Sequence, residues 1–418
     1  MTKRLILAFV FLSWHLVACS NGDSGISSGL PDKPSAEEDS PGTETISEEM
    51  RVKITGEDLY ISAKLDAKTD ILYWFKKCMF NELFTFYRVG TIDNNMPAPA
   101  TLPDASPTSL LNLAYSDNIG PFNITGYGWC GGNHPYLDEV TQTARNIGYR
   151  IYIDGKEIKT DLSTLTKEIK IEVINEIMNP SKADTSSGKT LLNEILCIET
   201  VNYSIYRNNI QVLVTHEFQN ESPVTVQMYY GMQSMFDKET HTLTANGKYV
   251  DWTVQKDVST FTKKEYPSFR RFIEKSANVY QSSYLFADGL GNHEEISDDD
   301  IIFIGNSSNK TYHKIIADRE HKKGDIIHWS GVYTWFKSPV SDDDDLLCYE
   351  GVIDNKKVLF IDCKKNVDRT IQLPVDYTKK SFTKIEKSKS ITITGNKVTA
   401  KGLRIVSDGS GSCVITFD

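Results

Sequence analysis

Three side chains able to move protons near neutral pH stand in unusual settings in this sequence: His134, His216 and Tyr230. His134 lies in the run Gly126-Tyr127-Gly128-Trp129-Cys130-Gly131-Gly132-Asn133-His134-Pro135-Tyr136. Glycines let a backbone take positive φ and come close to a ligand or a neighbouring strand. A histidine presented on such a loop can act as general acid or base; the plainer alternative is a tight turn whose histidine is hydrogen-bonded and inert. His216 lies in Val214-Thr215-His216-Glu217-Phe218, where strand alternation groups Val214, His216 and Phe218 on one face. Such a face belongs more often to a core than to a concave binding surface. The same alternation sets Tyr230 with Met228 and Met232.

These residue types fit β-elimination on a uronic-acid polysaccharide. That reaction needs a base for the proton beside the carboxylate, an acid for the leaving oxygen, and a cation or amide to hold the carboxylate. His134 or His216 is the candidate base, Tyr230 the acid, and Asn133 or Arg145 the carboxylate partner, provided their surroundings bring each pKa toward the working pH. A glycoside hydrolase would instead need two carboxylates across the sugar. Asp138, Glu139, Glu194, Glu199, Glu217 and Asp251 are available, and nothing in the sequence ranks them. A non-catalytic alternative rests on aromatic rings, which stack on the apolar faces of sugars. Trp129 and Trp252, beside Gly128 and Asp251, are the expected binding rings, whereas Trp329 and Trp335 sit in a strand pattern that reads as core.

Other chemistry finds less support. His216-Glu217 does not extend to a HExxH zinc site, because Asn220 stands where the second histidine belongs. Asp298-Asp299-Asp300 and Asp342 to Asp345 are acidic enough to suggest calcium, yet neither has EF-hand spacing, and solvated acids are the expectation; no other cofactor is implied. Gly25-Ile26-Ser27-Ser28-Gly29 matches a nucleophile elbow in letters alone, with no strand before it or helix after it. Cys78, Cys130, Cys197, Cys348, Cys363 and Cys413 show no CxxC spacing and leave bridge and buried thiol equally open.

The elements that must carry these residues are strands. Ile169 to Ile174 alternates apolar and charged residues. Arg150 to Ile153, Asp154-Gly155 and Lys156 to Ile158 read as a tight hairpin, and Tyr203 to Ile205, Asn208-Asn209 and Ile210 to His216 as another. Val224–Tyr230, Ile301–Ile304, Ile326–Trp335, Lys357–Asp362, Ile391–Thr394, Gly402–Val406 and Cys413–Phe417 continue the pattern. Asp288-Gly289, Asp354-Asn355 and Gly395-Asn396 supply turns between them. Leu191 to Cys197 and Phe269 to Ser276 are the two segments expected to be short helices. The fold class is therefore all-β, an antiparallel β-sandwich of jelly-roll-like character with few short helices.

The N-terminus has its own logic. Lys3 and Arg4 precede an apolar run from Leu5 to Val17, too short to span a bilayer and typical of an export signal. Leu16-Val17-Ala18-Cys19 resembles the lipobox of bacterial lipoproteins, which implies cleavage after Ala18 and lipid on Cys19. Ser20 to Glu49 is dominated by Ser, Gly, Pro and acids, the composition of a flexible tether. The expected organisation is a signal over residues 1–18, a tether over 19–49 and a β-sandwich domain over 50–418, with a seam or exposed loop at 341–345. Loss of residues 1–18 removes Lys3 and Arg4 but no acid, moving the formal net charge from −10 to −12. That balance argues against nucleic acid as a partner. The acid-rich tether and the turn-dense aromatic body resemble surface glycan-utilisation lipoproteins of Bacteroidota. The resemblance implies a lipid anchor in the outer membrane, exposure at the cell surface, and a polysaccharide or oligosaccharide partner.

Overall fold

The computed structural model describes residues 46–78, 80–102, 111–114, 119–235, 240–244, 249–251, 259–261, 271–276, 278–286, 302–305, 310–378 and 380–418. Cys19, Trp252, the acidic run at 298–300 and the Asp288-Gly289 turn lie outside them. Residues 44–418 form one compact unit.

The unit is built from antiparallel sheets, as the alternating sequence pattern requires. Strands β1 (Met50–Thr55), β2 (Asp58–Lys64), β3 (Thr69–Cys78) and β4 (Leu83–Asp93) follow one another in a six-stranded sheet, closed on one side by Leu162–Thr166 and on the other by Leu111–Ala114. A second six-stranded sheet has Val224–Met235 at its centre, with Ile119–Ile124 beside it and the short strand Gly128–Cys130 at its edge. A ten-stranded sheet, in which Ala144–Ile153, Ile169–Met178, Ile195–Tyr206, Asn209–Phe218 and Ile326–Phe336 are successive neighbours, packs against both. Phe75 meets Tyr203 at 5.3 Å, and Phe86 meets Tyr333 at 5.7 Å, from the first six-stranded sheet. Phe122 and Tyr229 reach the same large sheet from the second. Trp329 and Trp335 are fully buried, Trp329 donating its indole N–H to the Tyr229 hydroxyl at 2.9 Å. Burying rings of this size supplies most of the driving force, at about 25 cal/mol per Å² of apolar surface.

Beyond Ser341 a five-stranded and a three-stranded sheet enclose a core of their own around Leu346, Ile361, Tyr377 and Ile405. The other face of the five-stranded sheet packs on the outward side of the ten-stranded one. There Tyr280, Phe336, Tyr349 and Phe360 form a continuous ring stack with successive centroids 4.8, 4.3 and 4.9 Å apart. Within it the buried Arg271 donates to Asp362 at 2.6 Å.

The expected helices are not formed. Leu191–Leu192 is a short strand, and Ile195–Tyr206 runs as a long one between two neighbours in the large sheet. Arg271–Ser276 is likewise a strand. In both places cross-strand pairing and β-branched content override a local spacing that reads as helical. Helical structure among the described residues is confined to the 3-10 turns Pro180–Lys182 and Val375–Tyr377. The Asp154-Gly155 and Asp354-Asn355 turns form as expected, with positive φ at all four residues. The expected Asn208-Asn209 turn falls one residue earlier, on Arg207-Asn208, because Tyr206 pairs with Asn209.

Candidate functional site

The glycine-rich loop is held by a residue from another hairpin. Asn81, buried between β3 and β4, donates to the carbonyls of Gly132 at 2.8 Å and His134 at 3.1 Å, and accepts from the Thr143 amide at 3.0 Å. Gly131 has φ +76°, and a side chain there would crowd Ile177 at 3.3 Å, so glycine is needed both for conformation and for close approach. Pinned in this way, the loop stacks His134 on Trp129 with ring centroids 5.3 Å apart. Trp129 stacks in turn on Tyr230 at 6.3 Å. All three rings are half-buried. Tyr230 reaches this outward side because an extra residue between Val226 and Met228, opposite Ile124 and Asn123, shifts the alternation of the Val224–Met235 strand and turns Tyr229 inward. Three residues separated in sequence thus form one stacked row at a sheet edge.

The other expected site residues lie elsewhere. His216 is completely buried, and its Nε2 is 2.9 Å from Glu199 Oε2. It contacts Phe122 at 4.8 Å and Tyr229 at 5.0 Å, so the neighbour of Tyr230, not Tyr230 itself, is turned toward it. Glu199 Oε1 accepts from Asn175 Nδ2 at 2.9 Å, and Asn175 Oδ1 accepts from Asn146 Nδ2 at 2.9 Å. Asn146, Asn175, Glu199 and His216 are in register on four adjacent strands, so their hydrogen bonds form a polar ladder across the inner face of the ten-stranded sheet. The assembled base–acid group of His134, His216 and Tyr230 is not formed: His216 belongs to the core. His321 lies nearby, stacked on Phe218 at 4.3 Å. Burial, and after it Arg319, pull the His321 pKa down to about 4.

Asn133 spends its side-chain oxygen on the Phe80 amide at 2.6 Å, which gives it a role in shaping the loop. Arg145 is largely exposed and paired with Glu176. Among the hydrolase candidates, Glu199 is locked in the ladder and Glu194 accepts from Asn179 at 2.6 Å. Asp138 accepts from the amides of Val140 and Thr141. Hydrogen bonds from Thr190 and Thr141 hold its carboxyl well below the usual range. Three of the four carboxylates at 342–345 are paired: Asp342 with Lys364, Asp343 with Arg369 and Asp345 with Lys365. No cluster of metal-ligating side chains occurs among the described residues. Cys130, Cys197, Cys348, Cys363 and Cys413 are buried and unbridged, and burial raises the thiol pKa values of Cys363 and Cys413 to about 11 and about 12.

A second group of rings emerges only in three dimensions. On β2 and β3 the odd-numbered residues Leu59, Ile61, Tyr73 and Phe75 enter the core, leaving Tyr60 and Trp74 on the outward face. Tyr60 and Trp74 pair across the strands and stack at 5.5 Å. A bulge in β4 opposite Trp74 and Phe75 turns Tyr87 outward beside Arg88, where Tyr87 meets Trp74 edge-on at 5.0 Å. Lys76 places its ammonium 4.3 Å from the Trp74 ring centre and 4.4 Å from that of Tyr87, and the Arg88 guanidinium lies 5.2 Å from Tyr87. Asp58 accepts the Trp74 indole N–H at 3.0 Å. The segment after β4 covers the other half of this face: Lys64 and Asp70 pair beneath it at 2.9 Å, and Ser62 and Arg51 bond to the carbonyls of Ala100 and Pro99. Alternation in β2 and β3 marks Tyr60 and Trp74 as outward in the sequence, but nothing there marks the bulge that adds Tyr87.

The sequence matches no protein-family model and no curated protein. Among solved structures, the chain is similar over 67% of its length to the galactosidase domain of an α-galactosidase–sucrose kinase, AgaSK, at 9% identity and a TM-score of 0.36. It is similar over 69% to the GH36 α-galactosidase AgaB from Geobacillus stearothermophilus, at 9% identity and a TM-score of 0.38. Similarity to a glycoside hydrolase family 97 enzyme from Pseudoalteromonas sp. strain K8, in complex with acarbose, covers 70% at 6% identity and a TM-score of 0.33. The matched parts span 41%, 41% and 37% of those chains.

Proposed function

We propose that this protein is a lipid-anchored glycan-binding protein whose sugar-contacting surface is the Tyr60–Trp74–Tyr87 cluster. The observation that carries the reading is three half-buried rings gathered on an outward sheet face, with polar groups at their margin. Rings disposed in this way offer apolar area to sugar C–H faces at little entropic cost, while Asp58, Lys76 and Arg88 supply directional contacts. The Leu-Val-Ala-Cys sequence ending at Cys19, with the polar tether behind it, supports anchoring at the outer membrane and display at the cell surface. The test is affinity electrophoresis of residues 20–418 in gels containing polysaccharide. Retardation that is lost in Trp74→Ala, with an unchanged melting temperature, supports the reading; equal retardation of both proteins, or none of either in any glycan, refutes it.

A second reading keeps catalysis. The His134–Trp129–Tyr230 row puts a histidine and a tyrosine in one ring stack, the pair that a lyase needs for proton removal and leaving-group protonation. Release of unsaturated uronate, followed by its absorbance and abolished in His134→Ala, would carry it.

A further inference from the structure

We infer that the glycan held by the outward face of β2, β3 and β4 is acidic, a polysaccharide bearing carboxylate or sulfate groups. The inference rests on the glycan-binding reading and names the class of ligand for that surface. Its basis is the charge of the patch set against the charge of the whole. The chain is acidic, with a formal net charge of −10. Yet cross-strand pairing aligns Lys53, Tyr60, Trp74 and Arg88 in one row, with Lys76 one step along β3. At a strand spacing of about 4.8 Å the row is roughly 14 Å long, the reach of a short oligosaccharide.

Of the acids nearby, Asp70 pairs with Lys64 beneath the covering segment and Asp58 accepts the Trp74 indole N–H; Lys76 and Arg88 outnumber Asp58 on this face. Among the described residues no carboxylate pairs with Lys76 or Arg88; each is held over aromatic rings instead. Arg88 also keeps a buried Nε without a hydrogen-bond partner. A cation lying on a ring is attracted only weakly and keeps donors to offer, so an anionic group can recruit it without breaking an ion pair. A neutral glycan would use the rings and leave both cations idle.

The experiment compares polygalacturonate and chondroitin sulfate with neutral galactomannan and with polyphosphate, using residues 20–418 in affinity gels and titrations. The expected result is binding of an acidic glycan at least tenfold tighter than of galactomannan, weakened about tenfold in Lys76→Gln/Arg88→Gln and further by added salt. Trp74→Ala should abolish it. Galactomannan bound as tightly as the acidic glycans, in a Trp74-dependent way, overturns the acidic assignment and leaves the glycan-binding reading standing. Polyphosphate bound as tightly as the acidic glycans overturns it as simple ion exchange. Binding unaffected by any of these substitutions, or absent throughout, overturns both. Circular dichroism and melting of each variant establish that the fold is retained; a charge-only Lys76→Met/Arg88→Met pair, which preserves ring coverage, must reproduce the tenfold loss.

Discussion

Replacing His216 with leucine separates a structural role from a chemical one. In the native protein Glu199 is about as buried as a side chain can be, and His216 is the partner of its Oε2 atom at 2.9 Å. Leucine fills the space against Phe122 and Tyr229 but leaves that oxygen facing hydrocarbon. Stranding a buried carboxyl oxygen without its hydrogen-bond partner costs about 3 kcal/mol, the upper end of the usual range for an unsatisfied buried polar group. Unfolding entropy of about 2.1 cal/mol/K per residue over roughly 370 residues converts that loss into a melting temperature lower by about 4 °C. Glu199→Gln keeps an acceptor for Asn175 and gives a neutral donor for His216, so its cost should be smaller, about 1–2 kcal/mol. The double variant should lose less than the sum of the two single ones, since the groups are in direct contact. Calorimetry at neutral pH reads all three. A His216→Leu protein melting within 1 °C or so of the wild type would refute the ladder as a structural element. If it also lost a glycan-cleaving activity, His216 would have to be returned to the chemistry.

Three further outcomes are expected. The His321 imidazole has a folded-state pKa near 4, below that of an unfolded histidine, so the unfolded chain binds the extra proton first as pH falls. Stability should therefore decline from about pH 6.5 down to about pH 4, and urea titrations of His321→Phe, which can keep the stack on Phe218, should show a flatter slope in that window. Gly131→Ala should destabilise by about 1–2 kcal/mol, from a disfavoured positive φ and a crowded Ile177, and thermal melting checks it. Cys130, Cys197, Cys348, Cys363 and Cys413 should resist a thiol reagent in the native state and react only in denaturant, because burial keeps them from the thiolate form.

What could be read from the sequence followed the two-residue period. The alternation through Ile169 to Ile174 and the Asp-Gly and Asp-Asn turns gave strands and hairpins where they occur, and the burial of Trp329 and Trp335 followed from the same pattern. Leu191 to Cys197 misled because its leucines and isoleucine recur at a helical spacing, while Leu191–Leu192 pairs with Ala183–Asp184 and Ile195–Cys197 with the strand that ends at Met178. His216 between Val214 and Phe218 pointed toward the core, and the core is where it is. Its company was not legible, since Asn146, Asn175 and Glu199 meet it only through the register of four strands. Trp129, His134 and Tyr230 were each singled out, and the irregularity between Val226 and Met228 that lets them stack leaves no mark in composition. The Tyr87 bulge is hidden for the same reason: one extra residue changes the face of a ring without changing the pattern that announces a strand.

The ring stack beneath the five-stranded sheet bears on the order in which this molecule can be made. Tyr280 and Phe336 come from the ten-stranded sheet, while Tyr349 and Phe360 come from the region after it, and Val414 from the strand Gly411–Phe417 completes the same core. Until the residues after Ser341 have been synthesised, the outward side of the large sheet has no roof, and Arg271 has no Asp362 to receive its charge. A nascent chain halted before residue 346 would carry a sticky aromatic surface and an orphaned guanidinium, the features that chaperones hold and proteases remove. Synthesis of the residues after Ser341 is thus written into the packing as a checkpoint, and the unit should melt in a single transition, without early release of the five-stranded sheet.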